Sequence, residues 1–581
     1  MKLLKIGRLP RGIVFFIFVL SFVFVLTSTI SDPDLFWHLA TGKWIWEHRS
    51  LPDADPFSFT VAPAAEAQYY RIPVILKGYW LGQIVLYGSY LAGNYWGIII
   101  LRIVIYSLIM SVLYIWLREI GLKRSDIFFF AIPLAYVLSK YVGDRPNQFT
   151  YLFSTLCLYC IFLNRRNQKR GIFLILVMFL WANIHGGFIL GMALITIVLI
   201  YDTIAAIHHR ARKIEYAGYV KRTVIYTLSL IVCGLNPTGY DTFLMLMEPR
   251  PSYAFSIAET LSPFTQFSFG KHYPLFIVLF SSFIFITAVI FGRRNKAKDV
   301  TLYVLLFLFL LALSLNAHRF TPFLPLLTAP LVACLVKDHF EKMNLILKKG
   351  MLGVLLVLFV SYAVFSDNRT VLRSPFLNNN YPDDLIEFIN NNELKGNIFN
   401  SYDIGGYLIW RLHPEIKVFI DNRRLVEQAF GTYKAVISGS TDDLFGLPEW
   451  KSILQGYGIQ HIILSSLNGY GTMPDLVLSL HNDRDWRLLY FDKISGTMLY
   501  SKGISIPEYP KIFAYTRMLD RALRFRSSKS GNAEIYVTIA NIYMLMGRKS
   551  EAIRVIENAI ENYPSFQNGV PGKWLDHLQK Q

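Results

Sequence analysis

Long, uninterrupted runs of apolar residues recur along the first two-thirds of this 581-residue chain. Each run is roughly long enough to cross about 30 Å of hydrocarbon as a helix. The runs are continuously apolar and do not alternate with polar residues, so they favour helices over a membrane β-barrel. The sequence therefore predicts a polytopic α-helical membrane protein with about 11 transmembrane helices. The predicted spans are 12–30, 95–117, 126–143, 148–163, 171–184, 187–207, 222–236, 274–292, 300–316, 320–336 and 349–366.

The distribution of Lys and Arg predicts how these spans are oriented. Basic clusters lie at 118–124, 165–170, 210–222, 293–298 and 337–349. All of them fall on the cytoplasmic side if the N-terminus is cytoplasmic and segment 73–92 lies on the membrane surface. If that segment crossed the membrane instead, every later cluster would lie outside. The predicted outer face then receives a long first loop, 31–94, and everything after about residue 367.

The tail after the last span is long enough for a core of its own. Residues 367–528 predict an extracytoplasmic α/β domain, with strands in 396–410, 417–426 and 461–466 and a hairpin in 486–502. Helices are predicted at 383–391 and 427–437. Residues 529–581 predict a tetratricopeptide-like helix pair, and a single such repeat suits a packing appendage or a docking site for a protein partner. Its pattern residues are Tyr536, Ala540, Tyr543, Gly547, Ala552, Ile556, Ala559 and Pro564.

Composition agrees with a membrane protein and excludes other classes. Only 17% of residues are charged and the mean hydropathy is +0.37. The net charge of +18 comes from clusters that membrane insertion explains, so we expect no nucleic-acid binding. The four cysteines lie in apolar runs and predict small core residues, with no metal site or disulfide framework. They are Cys157, Cys160, Cys233 and Cys334.

The first candidate chemistry follows the first span directly, in the stretch SDPDLFWHLATGKW at residues 31–44. Asp32, Asp34 and His38 stand where hydrocarbon gives way to water. Two acids and a nearby histidine suit a divalent ion or a general base. The alternative is that an aspartate caps a helix that begins near Leu35. Asp53, further along this loop, predicts a turn residue beside proline, as does the neighbouring Asp55.

Further polar residues fall at the outer ends of other spans. Asp144 and Arg145 are functional candidates because charges at membrane depth are costly. Arg145 could bind a lipid phosphate through two N–H groups or could pair with its neighbour Asp144. His185 precedes two glycines, which permit close approach of a ligand, and a structural hydrogen-bonded role is the alternative. His318 and Arg319 end another span, where Arg319 could contact an anion or anchor the helix at the interface.

The order of these features resembles that of the GT-C membrane glycosyltransferases. The shared features are a cytoplasmic N-terminus, an acidic motif in a long first outer loop, an acid in the second outer loop and an outer C-terminal domain. The stretch SYDIGGYLIWRLHPEIKVFIDNRRL is similar to the region of oligosaccharyltransferase catalytic subunits around their Trp-Trp-Asp-Tyr-Gly motif. The matching residues are Asp403, Gly405, Asp421 and Asn422, whereas Ser401 and Tyr402 replace the tryptophan pair.

The resemblance implies transfer of a sugar from a polyprenyl-phosphate-linked donor to a glycan, lipid or protein acceptor. Transfer would occur at the outer face of the cytoplasmic membrane. Asp34, with Asp32 and His38, would act as base or metal ligand, and Asp144 would be a second ligand of a divalent cation, Mg²⁺ or Mn²⁺, if one is used. The predicted substrate-binding residues are Arg145, His185, His318, Arg319, Asp403 and Asp421. The alternative functions are a polysaccharide or lipid-sugar transporter or polymerase, and a non-catalytic assembly scaffold.

Overall fold

The structure, a computed structural model, describes most of the chain. The described residues are 11–61, 71–166, 171–208, 213–247, 258–268, 270–294, 299–366, 381–439, 443–444, 447–528 and 532–580. They fall into two compact units. The first comprises Met1–Asp32, Thr41–Leu51 and Leu76–Phe376, and the second comprises Pro33–Ala40, Pro52–Ile75 and Leu377–Gln581.

Helices account for nearly all regular structure up to residue 366. In chain order they are α1 (Arg11–Leu26), α2 (Asp34–His48), α3 (Arg71–Lys77), α4 (Trp80–Ile120), α5 (Arg124–Lys140), α6 (Asn147–Arg166), α7 (Phe173–Ile184), α8 (Phe188–His208), α9 (Lys213–Ile231), α10 (Asp241–Met247), α11 (Pro263–Ser268), α12 (Tyr273–Arg294), α13 (Val300–Asn316), α14 (Phe323–Lys342) and α15 (Leu345–Phe365). Every predicted span overlaps one of these helices.

Five helical stretches among the described residues are long and apolar enough to cross a membrane by length and composition. They are 71–120, 188–207, 273–294, 318–342 and 345–365. Shorter apolar helices lie at three further predicted spans, Gly12–Leu26, Phe173–Ile184 and Val300–Asn316. The chain is therefore largely helical with several membrane-compatible helices, and the number of spans stays a prediction.

Helix α4 contains a break that matches a predicted boundary. Gly93 and Asn94 leave helical backbone geometry, and Asn94 has φ +52° and ψ −141°. Glycine weakens a helix interior, and asparagine tolerates positive φ better than most residues. The break separates the predicted surface segment 73–92 from the predicted span 95–117.

The core of the first unit lies between the helices and is built from large apolar side chains. Trp116, Trp181 and Phe188 are fully buried there, and the rings of Phe285 and Phe307 stack with centroids 4.1 Å apart. Cys157, Cys160 and Cys233 are buried in the same core, and all four cysteines are free thiols.

Ion pairs join helix ends that carry the predicted cytoplasmic clusters. Arg165 contacts Asp202 and lies 2.7 Å from Asp299, and Arg222 lies 3.4 Å from the second oxygen of Asp202. A separate pair, Lys348 with Asp126 at 3.2 Å, links α15 to α5. Because buried charges are costly without partners, these pairs neutralise one another where the helices pack.

The second unit contains a small mixed sheet. Its strands are β1 (Asn397–Asn400), β4 (Ile459–Ser465), β5 (Arg487–Phe491) and β6 (Thr497–Ser501), in the order β1-β4-β6-β5; β2 (Asp443–Leu444) and β3 (Leu447–Pro448) form a separate pair. Strand β1 is parallel to β4, and β5 and β6 form the predicted hairpin. The helices are α16 (Asp383–Asn391), α17 (Gly405–Leu412), α18 (Glu427–Ile437), α19 (Glu449–Gly456), α20 (Leu476–Asn482), α21 (Lys511–Ser528), α22 (Ala533–Leu545), α23 (Lys549–Asn562) and α24 (Val570–Lys580).

One strand prediction in this unit is confirmed only in part, and another is wrong. Within 396–410 only Asn397–Asn400 is a strand, and Gly405–Leu412 is a helix. Residues 417–426 do not join the sheet among the described residues. Val418 instead pairs with the first loop, where its N–H donates to the Phe57 carbonyl at 3.0 Å and its carbonyl accepts from the Phe59 N–H at 3.3 Å.

The last helices pack as the sequence pattern indicates. Residues Tyr536 and Ala540 on α22 form a buried cluster with Ala552, Ile556 and Ala559 on α23. Helix α24 adds Leu575 to the same cluster, so the segment contains a third helix beyond the predicted pair. Its classification as tetratricopeptide-like stays a prediction.

Candidate functional site

A charged cluster in the first unit gathers residues from three connections between helices. The Arg145 Nε lies 3.3 Å from Asp32 Oδ2, and Arg145 Nη2 lies 2.5 Å from Glu259 Oε2. All three side chains are partly exposed, with 22% for Arg145, 21% for Asp32 and 37% for Glu259. The guanidinium is thus held between two carboxylates, and the Arg145 side chain is partly exposed although its Nε is buried.

His185 belongs to the same surroundings and is neutral. Burial, followed by the positive charges of Arg145 and Arg319, lowers the pKa of His185 to about 3. Its Nδ1 accepts a hydrogen bond from the Gly187 N–H at 3.0 Å and lies 2.8 Å from Thr150 Oγ1. Because Nδ1 accepts from an amide, the ring proton is on Nε2, which makes His185 a neutral donor.

Asp144 does not lie free in its loop. Its Oδ1 accepts from Arg102 Nε at 2.9 Å and from Arg102 Nη2, and both side chains are buried. A carboxylate bound in this way by a buried guanidinium is a structural ion pair. Its assignment as a catalytic residue and metal ligand stays a prediction.

His318 is also held by protein groups. Its Nδ1 lies 3.0 Å from the Tyr141 hydroxyl and its Nε2 lies 3.3 Å from the Tyr273 hydroxyl. With a tyrosine hydroxyl near each ring nitrogen, His318 bridges two aromatic side chains. Its predicted substrate contact stays a prediction. The neighbouring Arg319 is exposed, and its charge acts on His185.

The acidic motif of the first loop continues into the second unit. Helix α2 begins at Asp34, so this residue occupies the first turn and the cap position falls on Pro33. A carboxylate in the first turn interacts favourably with the helix dipole. His38, one turn later, is buried, and its ring packs on that of Trp37 with centroids 3.5 Å apart.

The turn that resembles the oligosaccharyltransferase motif contacts this part of the first loop. A Cβ added at Gly406 would lie 3.1 Å from the Pro33 carbonyl oxygen, and the ring of Tyr407 is 5.0 Å from that of Phe36. Burial, opposed by the Arg424 charge, raises the pKa of Tyr402, and the negative charge of Asp34 raises it further. The turn Tyr402–Gly406 and the start of α2 are therefore neighbours within the second unit.

Tyr402 and Asp403 are anchored by different partners. The Tyr402 hydroxyl accepts from Arg424 Nε at 2.8 Å, and the guanidinium of Arg424 lies 4.6 Å from the centre of the Tyr402 ring. Asp403 is exposed and accepts from the Ser465 hydroxyl at 3.1 and 3.2 Å. Asp403 therefore remains accessible, and its predicted substrate contact stays a prediction.

Asp421 belongs to a closed ion-pair network in the second unit. Arg423 donates to both oxygens of Asp421, at 2.8 and 2.7 Å, and to both oxygens of Asp55, at 2.7 and 3.0 Å. The Ser58 hydroxyl donates to Asp421 Oδ2 at 2.8 Å. All three charged side chains are nearly inaccessible, at 4% or less. Asp421 is thus held within a buried ion-pair network, and its predicted substrate contact stays a prediction. Asp55 is more than a turn residue, because it binds Arg423 through both oxygens.

The described residues offer no ready metal site. Among them, no three His, Cys, Asp or Glu side chains are grouped so that they could hold a metal ion. Asp144, one of the two tentative ligands, binds Arg102. Use of a divalent cation stays a prediction.

Two important residues were not predicted. Arg102 interrupts an apolar run, and a charge inside a predicted span is itself a signal. Glu259 lies in a predicted outer loop, 114 residues from its partner Arg145, and has no local signature. Of the charged groups described here, the partly exposed Arg145 is the one that can donate hydrogen bonds to an anion.

Comparisons with known proteins give one kind of match. No protein-family model and no curated protein matches the chain. Among solved structures, the chain is similar to the crystal structure of ArnT from Cupriavidus metallidurans bound to undecaprenyl phosphate. The similarity covers 86% of this chain and 98% of that chain, at 11% sequence identity and a TM-score of 0.42.

Proposed function

We propose that the protein is a membrane glycosyltransferase that moves a sugar from a polyprenyl-phosphate-linked donor to an acceptor. The observation that carries this proposal is the partly exposed Arg145, held between Asp32 and Glu259. An arginine fork suits a phosphate because it donates two parallel hydrogen bonds. The cluster lies in connections between predominantly apolar helices. A phosphate whose lipid chain lies among such helices would be located at this depth.

In the proposed reaction, the acceptor hydroxyl oxygen attacks the anomeric carbon of the donor sugar. The carbon–oxygen bond to the phosphate breaks, and the lipid phosphate leaves with the electron pair. Arg145 and Arg319 stabilise the negative charge that develops on the leaving phosphate, and the neutral His185 donates a hydrogen bond from Nε2. Asp34, two residues after Asp32 in the chain, takes the acceptor proton.

The proposal places the reaction at the outer face of the cytoplasmic membrane. The charged cluster lies in connections that the basic residues assign to the outside, whereas the Arg165–Asp202 network lies at helix ends assigned to the inside. A periplasmic-type reporter fused after residue 366 should be active, and one fused after residue 166 should be inactive. Activity of both fusions would contradict this topology.

The decisive experiment replaces Arg145 in cells that depend on this chain for its product. Mass spectrometry of cell-envelope glycans with and without the protein first identifies the product. Arg145→Gln should then lower product formation by about 10²–10³-fold at normal membrane abundance, because one charge-stabilising group is lost. Arg145→Lys should be intermediate, since it keeps the charge and loses the fork.

The matched control is Arg294→Gln, which removes an exposed arginine at the end of α12. This variant should form product at the parental rate. If the envelope glycans are the same with and without the protein, or if Arg145→Gln is as active as the control, the proposed function is wrong.

A further inference from the structure

Arg102 is fully buried in α4 and binds two separate segments of the first unit. Its Nη1 donates to the Leu26 carbonyl at 2.9 Å, to the Ser28 carbonyl at 2.6 Å and to the Ser28 hydroxyl at 2.9 Å. Its Nε and Nη2 donate to the Asp144 carboxylate. One guanidinium therefore joins the end of α1 to the connection between α5 and α6.

These two segments carry the groups of the charged cluster. Ser28 precedes Asp32 by four residues, and Asp144 directly precedes Arg145. Asp32 and Arg145 are themselves 3.3 Å apart. The buried fork thus binds the backbone close to both members of this partly exposed pair.

We propose that Arg102 is a positioning residue that sets the geometry of Asp32 and Arg145 for sugar transfer. This inference rests on the proposed function. Arginine suits the role because its planar, always charged fork can serve a carboxylate on one edge and carbonyls on the other. Lysine would neutralise Asp144 but would present a single ammonium group to one region.

The expected effect is on turnover more than on donor binding. Small misplacement of groups at a reacting centre can lower a rate by about 10²-fold. We therefore expect kcat to fall at least tenfold when Arg102 is replaced, while KM changes by less than threefold. The donor used is the total polyprenyl-phosphate-sugar fraction extracted from host membranes.

The variants are chosen so that folding and positioning can be separated. Arg102→Met alone leaves the Asp144 carboxylate buried without its partner, which destabilises a protein strongly. The double variant Arg102→Met/Asp144→Asn removes both charges, and Arg102→Lys keeps both. The matched control, Lys348→Met/Asp126→Asn, removes another buried ion pair that joins α15 to α5, and it should keep the parental kcat.

A second readout does not depend on transfer activity. Cysteines replacing Ser31 and Gly143 are joined by a short bifunctional thiol reagent, with each single cysteine as a background control. Cross-linking should be efficient when Arg102 is present and should fall several-fold in Arg102→Lys and in the double variant. The control variant Lys348→Met/Asp126→Asn should leave the cross-linking yield unchanged.

The outcomes separate this inference from the proposed function. Loss of both kcat and cross-linking at normal membrane abundance supports positioning by Arg102. Parental kcat, or lost kcat with unchanged cross-linking, overturns it. If the parental protein transfers no sugar, the proposed function fails while cross-linking still decides whether Arg102 holds the two segments. If the double variant fails to accumulate, Arg102→Lys decides in the same way.

Discussion

Replacement of Asp34 by asparagine separates a catalytic base from a residue that only stabilises a helix. Asp34 is the first residue of α2, so its charge interacts with the helix dipole by about 0.3–1 kcal/mol. Asparagine keeps the shape of the side chain and much of its hydrogen bonding. A protein of this size should therefore tolerate Asp34→Asn and reach normal abundance in the membrane.

The catalytic consequence should be much larger than the structural one. Loss of a general base typically costs 10²–10⁴-fold in rate, which corresponds to about 2.7–5.5 kcal/mol of transition-state stabilisation. We therefore expect Asp34→Asn to accumulate normally and to lose glycan transfer. The assay measures membrane abundance and the rate of product formation in the same samples.

The control is Asp53→Asn, because Asp53 is an exposed residue of the same loop. It should retain both abundance and transfer. If Asp34→Asn transfers sugar at the parental rate, Asp34 only stabilises α2, and its assignment as the base is refuted.

Three further predictions concern the surroundings of the site. Arg423→Met should lower the melting temperature, at a cost of about 3–5 kcal/mol, because it leaves buried carboxylates unpaired. Burial raises the pKa of Asp421, but Arg423 outweighs burial and holds that pKa below its usual value. The stabilisation by the Arg423–Asp421 pair is therefore present above about pH 4 and is lost on acidification below it. Gly405→Ala should reduce thermal stability more than Gly406→Ala, since the added Cβ would lie 2.2 Å from a backbone carbonyl oxygen instead of 3.1 Å. The pH profile of transfer should show no inflection from His185 between pH 5 and 8, and an inflection that His185→Gln removes would contradict its neutral state.

Local sequence patterns predicted two helices of the second unit with the correct boundaries. Helices 383–391 and 427–437 occur at those residues, because polar and apolar positions alternate with helical spacing. The failure at Gly405–Leu412 has a physical reason. A short apolar run fits a strand or a helix equally well. The sequence also does not indicate that Gly405 and Gly406 permit close packing against Ile420 and Pro33.

Long-range partners were beyond the reach of sequence patterns. Asp55 and Arg423 are 368 residues apart, so nothing in the first loop indicates that its aspartate completes a bidentate ion pair. The pairing of Val418 with the first loop is equally distant in sequence, so no local pattern indicates it. In both cases the contact depends on the folded arrangement, which a local pattern does not contain.

Asp144 and Arg145 show how adjacent charges can have different roles. The sequence left open whether Arg145 pairs with its neighbour or binds a phosphate, because both groups stand at the same depth. In the structure, Asp144 turns to the buried Arg102, whereas Arg145 contacts Asp32 and Glu259 near the surface. A buried pair of opposite charges is neutralised and shielded from ligands. An arginine paired with partly exposed carboxylates can instead leave them and bind an incoming phosphate. The proposal that Arg145 binds the phosphate therefore depends on Asp144 pairing with the buried Arg102, a contact that only the fold determines.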